Sequence, residues 1–220
     1  MTALPPDPTL DELRLALAPL VAANAAFDGW SDAARDRAAD ALGVDRYVAR
    51  LAFEGGAVAM IDAWFETIDR AMAEAAPDAA LAGMKVRGKI AAQIEARLDA
   101  VAAHRESLRR ALAVLAMPQH LAVAARLGWR TADLIWRRAG DTATDYNHYT
   151  KRATLLAIYG ATVTVFLDDD SEAHQDTIAF LQRRIDGLMR FERVKAGLRA
   201  RTEHRPSLSR FIGRLRYPAH

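Results

Sequence analysis

Four side chains near residue 148 have the types and the spacing that could do chemistry. Asp145, His148, Tyr149 and Arg152 stand at positions i, i+3, i+4 and i+7, so they share one face if this stretch is a helix. The Asp145–His148 pair comes close to the Glu-x-x-His spacing of carboxylate-bridged di-iron sites, but such a site needs a second pair and two further Glu residues. One pair cannot assemble that site. We therefore predict no metal, and a polar, aromatic face suited to recognition.

Other patterns that carry catalysis are missing from the sequence. It contains no Gly-rich phosphate loop, nucleophile elbow or Ser/His/Asp pattern, and it has no cysteine. The acidic run Asp168–Asp170 lacks the spacing and central Gly of a calcium loop, so we interpret it as a solvated helix start. The remaining histidines stand in polar or terminal contexts and are predicted to lie at the surface: His104, His120, His174, His204 and His220. We predict neither catalysis nor a cofactor.

The recognition face must be positioned by a corner and a helix. Gly140-Asp141-Thr142 combines a residue suited to a left-handed helix end with residues that cap the next helix, which predicts a sharp corner between two helices. The second helix is expected to run from Thr142 to Leu167. Its later part is apolar on more than one side, which is typical of a bundle interior or a subunit interface. The apolar residues are Leu155, Leu156, Ile158, Tyr159, Val163, Val165, Phe166 and Leu167.

The whole chain of 220 residues has an all-α composition. Its apolar fraction is 51%, and apolar residues recur at helical spacing while strand-like alternation is lacking. Capping and breaking residues predict nine helices, approximately at 10–27, 32–42, 46–53, 55–76, 85–104, 105–116, 119–138, 142–167 and 171–199. The N-terminus lacks a signal-like pattern and no window is apolar enough to span a membrane, so we expect a cytoplasmic protein.

The first four helices resemble the DNA-binding module of TetR-type regulators. The residues that carry this resemblance are Gly29, Ala38-Ala39, Leu42-Gly43-Val44 and Phe53. Between Asp28 and Glu54, however, four Arg residues face six acidic residues, whereas DNA affinity depends on neutralising phosphates. We therefore predict a vestigial module at residues 1–54 without nucleic-acid binding, followed by a ligand-binding and dimerisation bundle at 55–200. A ligand-responsive transcription regulator is the alternative.

A basic amphipathic segment ends the chain, after a linker that begins at residue 201. Its apolar stripe is Leu208, Phe211, Ile212 and Leu215, while Arg210 and Arg214 lie off the stripe. Such a helix can lie in the interface of an anionic membrane. It can equally dock on its own core or on a neighbouring subunit.

The corner and its helix, AGDTATDYNHYTKRATLLAIYGATVTVFLDDDSE, resemble the coenzyme Q biosynthesis accessory family. The long motif AGDxxTDxNxYxKRA carries the resemblance, which extends more weakly to the rest of residues 1–199. It implies a homodimeric, non-catalytic protein of TetR-like fold at the membrane. Such a protein binds an isoprenoid quinone precursor, or a phospholipid, and presents the precursor to the demethoxy-quinone hydroxylase. We therefore expect a location at the cytoplasmic face of the inner membrane.

By this resemblance the first turns of the helix form the partner-docking surface. Asp145, Asn147, Tyr149, Lys151 and Arg152 match the family motif. The predicted docking surface comprises Asp145, Asn147, His148, Tyr149 and Arg152. His148 stands where the family often has Trp, and imidazole is a smaller apolar anchor than indole. In the alternative interpretation, Asp145 caps the helix while Tyr149 and Arg152 only stack on neighbouring helices.

A polyprenyl chain needs a long apolar cavity more than it needs particular polar atoms. The candidate lining residues lie on stretches predicted to face the core, and each can also be ordinary core: Met60, Trp64, Met84, Leu115, Met117, Trp136, Ile158 and Tyr159.

Overall fold

Every regular element in the described part of the chain is helical. The structure is a computed structural model that describes residues 5, 7–142, 144 and 146–203. The α-helices are α1 (Leu10–Asp28), α2 (Asp32–Leu42), α3 (Arg46–Ala52), α4 (Gly56–Ala75), α5 (Asp78–Ala82), α6 (Val86–Val101), α7 (Arg105–Leu115), α8 (Leu121–Arg138), α9 (Tyr146–Leu167) and α10 (Gln175–Glu203). The predicted all-α class is confirmed, since the nine predicted helices are present and the short α5 is added to them.

Local capping chemistry sets the ends of the first helices. Thr9 and Glu12 form a reciprocal capping box at the start of α1, in which the Thr9 N–H donates to Glu12 Oε2 at 2.8 Å. Ser31 caps α2 and Asp45 caps α3 through side-chain oxygens that accept backbone N–H groups. These residues satisfy N–H groups that a helix start leaves without partners.

Two helices, α9 and α10, begin four residues later than predicted. Helix α9 begins at Tyr146, four residues after the predicted Thr142, because the sequence offers several residue types that can cap a helix here and spacing does not choose among them. Helix α10 is preceded by a 3₁₀ turn at Glu172–His174.

Asp169 corrects the interpretation of the acidic run. Its carboxylate is buried and accepts hydrogen bonds from the backbone N–H groups of Ser171 and Thr177, both at 2.9 Å. Asp168 and Asp170 are exposed after the end of α9. Asp169 is therefore a cap that joins α9 to α10, not a solvated carboxylate.

One hydrophobic core joins the first three helices to the rest of the bundle. The Trp30 ring lies 5.3 Å from the Trp64 ring of α4, and its indole N–H donates to the Ser107 carbonyl at 3.0 Å. The Ser107 hydroxyl donates in turn to the Ala22 carbonyl of α1 at 2.6 Å. Helix α1 is thus held against α4 and α7 by aromatic packing and buried hydrogen bonds.

Helix α9 packs between α8 and α10. Helices α8 and α9 approach closely at Gly128, where an added Cβ would meet Leu156 Cδ1 at 2.4 Å. A larger residue at 128 would force the Leu156 side chain to move, so the glycine makes room for Leu156 between the two helices.

Within the described ranges, no single helix is both long and apolar enough to cross a membrane. Residues 86–115 and 118–138 meet that criterion only as a pair, bent by 91°. The predicted amphipathic segment, Leu208 to Leu215, lies outside the described residues.

Candidate functional site

The predicted corner between α8 and α9 is present. Gly140 has a φ of 93°, in the left-handed region that favours glycine. Its N–H donates to the Arg137 carbonyl at 2.9 Å, and the Asp141 N–H donates to the Trp136 carbonyl at 3.0 Å. This pair of hydrogen bonds is the Schellman motif, which satisfies carbonyls at the end of a helix. The corner places Asp141 beside the first turns of α9.

A buried ion-pair cluster joins the two sides of this corner. The Asp141 carboxylate accepts from Lys151 Nζ at 2.6 Å and from Arg152 Nη1 at 2.9 Å. Arg152 Nε donates to Asp133 Oδ1 of α8 at 2.6 Å, and Asp133 also pairs with Arg137 at 2.5 Å. The planar guanidinium of Arg152 presents N–H groups at fixed angles to two carboxylates at once. We call Asp133, Asp141, Lys151 and Arg152 the corner clamp.

Arg152 corrects the predicted docking surface. It is only 1% exposed, so its guanidinium contacts Asp133 and Asp141 within the corner clamp and not an incoming partner. The error has a simple cause: spacing shows that residues share a face, but it does not show how far that face turns toward α8. Lys151 is also largely covered, with its ammonium 5.2 Å from the centre of the Trp136 ring.

An aromatic cluster lies on the outside of the clamp. Tyr149 is 61% exposed, and its ring centre lies 5.2 Å from that of His148 and 5.9 Å from that of Trp129 on α8. His148 and Asn147 are half-buried. Tyr149 thus combines an exposed phenol with a backing of rings, a combination common among residues that dominate interfaces. Asp145 lies outside the described residues.

The predicted lipid-lining residues separate into three groups. Met60, Trp64, Leu115 and Trp136 are buried in the core, and Ile158 and Tyr159 are half-buried against it. Met84 and Met117 are exposed by 43% and 44%, so the prediction that they face the core is wrong for these two. Met84 lies in the turn between α5 and α6, and Met117 lies in the break before Pro118, where the chain leaves the core.

A cavity of about 290 Å³ opens beside the corner clamp. Its wall is formed by Val86, Trp136, Ala139, Gly140, Asp141, Lys151 and Met189. Most of these residues are apolar. The Trp136 indole N–H donates to the Lys151 carbonyl at 3.0 Å, whereas the Lys151 ammonium carries three N–H groups. The volume is at the lower end of the range of small-molecule sites. The cavity suits an apolar ligand that ends in an oxygen acceptor.

A second, wider depression of about 410 Å³ lies at the end of α9. It is lined by Thr164, Val165, Asp168, Asp169, Asp170 and Asp176. Its carboxylates repel anions, and Asp169 is already engaged with Ser171 and Thr177. Among the described residues no cluster of three or more His, Asp or Glu has a geometry that could hold a metal ion.

A buried charge network that was not predicted from the sequence joins α4, α6 and α9. Arg97 donates to both Asp69 and the Tyr159 hydroxyl, the latter at 3.1 Å. Burial alone would lower the pKa of Arg97, but Tyr159 and Asp69 outweigh it and raise the pKa. The sequence contains an indication of this network. Asp69 stands beside Ile68 on the apolar face of α4, and Arg97 follows Ile90 by seven residues in α6, which places it on the buried side of that helix.

His174 also differs from its predicted surface position. It is half-buried, and its ring lies 5.0 Å from the Phe166 ring and forms a 2.7 Å contact with Arg105. His104 and His120 are half-buried as well. The two remaining histidines, His204 and His220, lie outside the described residues.

Comparison with known proteins places these features in a family context. Residues 121–192, which hold α8, the corner, α9 and most of α10, match the model of the COQ9 family. The ubiquinone biosynthesis proteins COQ9 of Rattus norvegicus and Homo sapiens, both named as mitochondrial, are each 38% identical over 96 residues. These alignments cover 44% of this chain and 31% and 30% of the two relatives. The chain thus matches about a third of their length.

The fold itself is similar to that of a TetR transcriptional regulator from Nitrosomonas europaea. That crystal structure superposes with a TM-score of 0.64 at 26% identity and covers 79% of this chain and 96% of the regulator. The similarity confirms the predicted TetR-like fold. The family match covers the predicted motif and the corner clamp, and residues 121–192 of this chain are therefore similar to the COQ9 family, on a TetR-like helical bundle.

Proposed function

We propose that this protein is a non-catalytic accessory protein of ubiquinone biosynthesis, which binds an isoprenoid quinone precursor and presents it to a partner hydroxylase. The observation that carries the proposal is that the family match, residues 121–192, covers the aromatic cluster, the corner clamp and most of the wall of the adjacent cavity. A docking residue and a ligand cavity thus stand on the same structural unit. A partner that binds Tyr149 is then close to the cavity that holds its substrate.

The burial of each residue in this unit indicates its role. The corner clamp fixes the first turns of α9 against α8, and Tyr149 extends from that fixed segment toward solvent. A residue held on a rigid helix loses little conformational freedom on binding. Tyr149 is therefore the proposed anchor of the partner contact, His148 and Asn147 flank it, and Arg152 is the residue that positions it.

For the ligand, we propose that the cavity beside Trp136 receives the head of the isoprenoid. Trp136 offers an aromatic wall, and Lys151 can donate to a quinone or phenol oxygen. A long polyprenyl tail needs more room than 290 Å³, so it would extend toward the half-buried Ile158 and Tyr159 or out along α10. Phospholipid is a second possible occupant of the same apolar space.

Native mass spectrometry of the purified protein, before and after organic extraction, tests the ligand proposal. We expect a bound isoprenoid or phospholipid that extraction removes. Met189→Trp should lower the bound fraction, because the indole would occupy the cavity that Met189 lines. Phe191→Trp is the matched control, since residue 191 is exposed two positions further along α10. Lipid-free protein, or equal loading of the two variants, would contradict the proposal.

We further propose a homodimer formed through the outward face of α9. That face exposes small residues at helical spacing, namely Ala153, Ala157, Gly160, Ala161 and Thr164. Small residues allow two helix backbones to approach closely, and an added Cβ at Gly160 would meet open space in the single chain. Ala157→Glu should therefore shift the mass in light scattering from dimer to monomer without unfolding the chain. A dimeric Ala157→Glu variant would overturn this interface.

A transcription regulator remains the second candidate, because the similar Nitrosomonas europaea structure is described as one. The charges of the first three helices argue against it. Arg35 pairs with Asp32 and Asp36, both at 2.7 Å, and two further ion pairs join Arg46 to Asp40 at 2.6 Å and Arg37 to Asp28 at 3.3 Å. These arginines already have carboxylate partners and are poorly suited to neutralise phosphates. Saturable binding to genomic fragments in a gel shift at physiological salt would favour the regulator.

A further inference from the structure

We infer that the turn between α5 and α6 is a contact site for an anionic membrane, and that it lies at the mouth of the ligand cavity. Met84 and Val86 are 43% and 42% exposed, and the exposed Lys85 stands between them. Two neighbouring apolar side chains with a lysine between them match the chemistry of a lipid interface, where methionine and valine enter the acyl boundary and the ammonium stays near phosphates.

Charge at this end of the bundle favours an anionic surface. Arg87 pairs with Asp186 of α10 at 3.0 Å, and Arg138 pairs with Asp78 of α5 at 3.0 Å. These pairs cancel. Within the described ranges no carboxylate lies within ion-pair distance of Lys85, which leaves its charge available to a phosphate.

The cavity connects this turn to the ligand proposal. Val86, the first residue of α6 after the turn, is exposed and also lines the cavity, whose wall includes Met189 of α10. A lipid that leaves a membrane at this turn would meet the cavity directly. The position also agrees with the course of the chain, because α10 passes α6 here and continues to Glu203, after which comes the predicted basic amphipathic segment.

A membrane contact made by that segment alone would be weak, since one helix of about three turns buries little apolar area. The turn at Met84–Val86 supplies a second, separate contact. This inference does not depend on the identity of the ligand. Lipid extraction and membrane binding are measured separately, so failure of one is distinguishable from failure of the other.

The chain has no cysteine, so a single introduced thiol can report which face meets the membrane. Met84→Cys, labelled with an environment-sensitive fluorophore, should shift its emission to shorter wavelength when vesicles of mixed phosphatidylglycerol and phosphatidylcholine are added. Met117→Cys is the matched control. Residue 117 is about equally exposed. It precedes the start of α8, whereas Arg138 at the other end of α8 pairs with Asp78 of α5. The two ends of α8 are about 27 Å apart, because the helix has 18 residues.

Substitution measures how much the turn contributes. The double variant Met84→Ser/Val86→Ser in the full chain should weaken binding to the mixed vesicles by at least about tenfold, because two apolar side chains are lost. Lys85→Gln should weaken it about fivefold, and less at high salt. Met117→Ser should bind as the parent does. An unshifted label at residue 84, an equal shift at residue 117, or unchanged binding of the double variant would overturn the inference.

Discussion

Asp141 and Arg152 form an ion pair of 2.9 Å across the corner between α8 and α9, and both side chains are almost fully buried. The pair joins the residue that follows the Schellman turn to the second turn of α9. Since Arg152 also reaches Asp133 of α8, one guanidinium fixes the angle at which the exposed Tyr149 is presented. The proposed recognition surface thus depends on a residue that is too buried for a partner to touch.

Removing the guanidinium should therefore destabilise the protein as well as weaken its partner contact. Arg152→Gln leaves Asp133 and Asp141 with fewer donors in a buried setting, and breaking such a pair typically costs roughly 3–5 kcal/mol. Urea unfolding followed by far-ultraviolet circular dichroism measures the loss. Arg126→Gln is the control, because Arg126 is an exposed arginine of α8 whose ion pair with Asp62 spans 3.3 Å, and its loss should change stability by less than about 1 kcal/mol. Equal stability of the two variants would contradict a structural role for the clamp.

Substitution of Tyr149 should affect partner binding much more than stability. Tyr149→Ala removes an exposed ring, so stability should change little while affinity for the proposed partner hydroxylase falls about thirtyfold, the equivalent of about 2 kcal/mol for an interface anchor. Titration calorimetry with the purified partner measures the affinity. Tyr47→Ala is matched, since Tyr47 is a 65% exposed tyrosine on α3. If both variants bind the partner equally well, the aromatic cluster is not the docking surface.

The fold could be predicted well because its signals are local. Thr9, Ser31 and Asp45 cap the first three helices as expected, and Gly140 closes α8 as expected. Each of these residues acts on backbone groups within a few positions of itself. Helix α5 was missed because its five residues, Asp78–Ala82, are too few to show a helical period.

The site could be predicted only in part because burial is not local. Helical spacing placed Tyr149 and Arg152 on one side of α9, but the structure exposes the first and buries the second. What separates them is the position of Asp133 and Asp141, 19 and 11 residues away from Arg152. The exposure of Met84 has a similar origin, because it depends on where α5 turns into α6 and not on the apolar character of methionine.

Asp169 should make the stability of the α9–α10 connection depend on pH. Burial alone would raise the pKa of its carboxyl, but the hydrogen bonds from Ser171 and Thr177 outweigh burial and lower the pKa well below its usual range. A carboxyl whose pKa is lower in the folded chain stabilises the fold above its unfolded pKa of about 4 and loses that contribution as the pH falls toward the folded pKa. Asp169→Asn should thus be less stable than the parent at pH 7, and the difference should shrink below about pH 4.

Thermal unfolding of both proteins between pH 7 and pH 2 measures this difference. Asp170→Asn is the control, because the Asp170 side chain is fully exposed and its loss should give curves parallel to those of the parent. A constant gap between Asp169→Asn and the parent at all pH values would show that the carboxylate charge is not what stabilises the connection.

The C-terminal segment should add to membrane binding without affecting the fold. Deletion of Ser207–His220 removes Phe211, Ile212 and three arginines from a region that follows the last described helix. Pelleting with anionic vesicles should fall, because both apolar area and attraction to phosphates are lost. Substituting only Arg210 and Arg214 by Gln should lower pelleting in low salt and have little effect in high salt. Unchanged pelleting of the deleted chain would remove the membrane role from this segment.

Replacing both charges of the buried pair Asp69–Arg97 should destabilise the protein less than removing one of them. Asp69→Ala leaves the Arg97 guanidinium buried and hydrogen-bonded to the Tyr159 hydroxyl, and the loss of one partner of a buried pair typically costs roughly 3–5 kcal/mol. Asp69→Leu with Arg97→Met replaces both charges by apolar groups, which in other buried pairs is neutral or stabilising. We therefore expect urea unfolding to rank the double variant well above Asp69→Ala. If the double variant is no more stable than Asp69→Ala, Asp69 and Arg97 are not energetically coupled. Arg130, whose Nε lies 3.6 Å from Asp69, would then be the partner that matters.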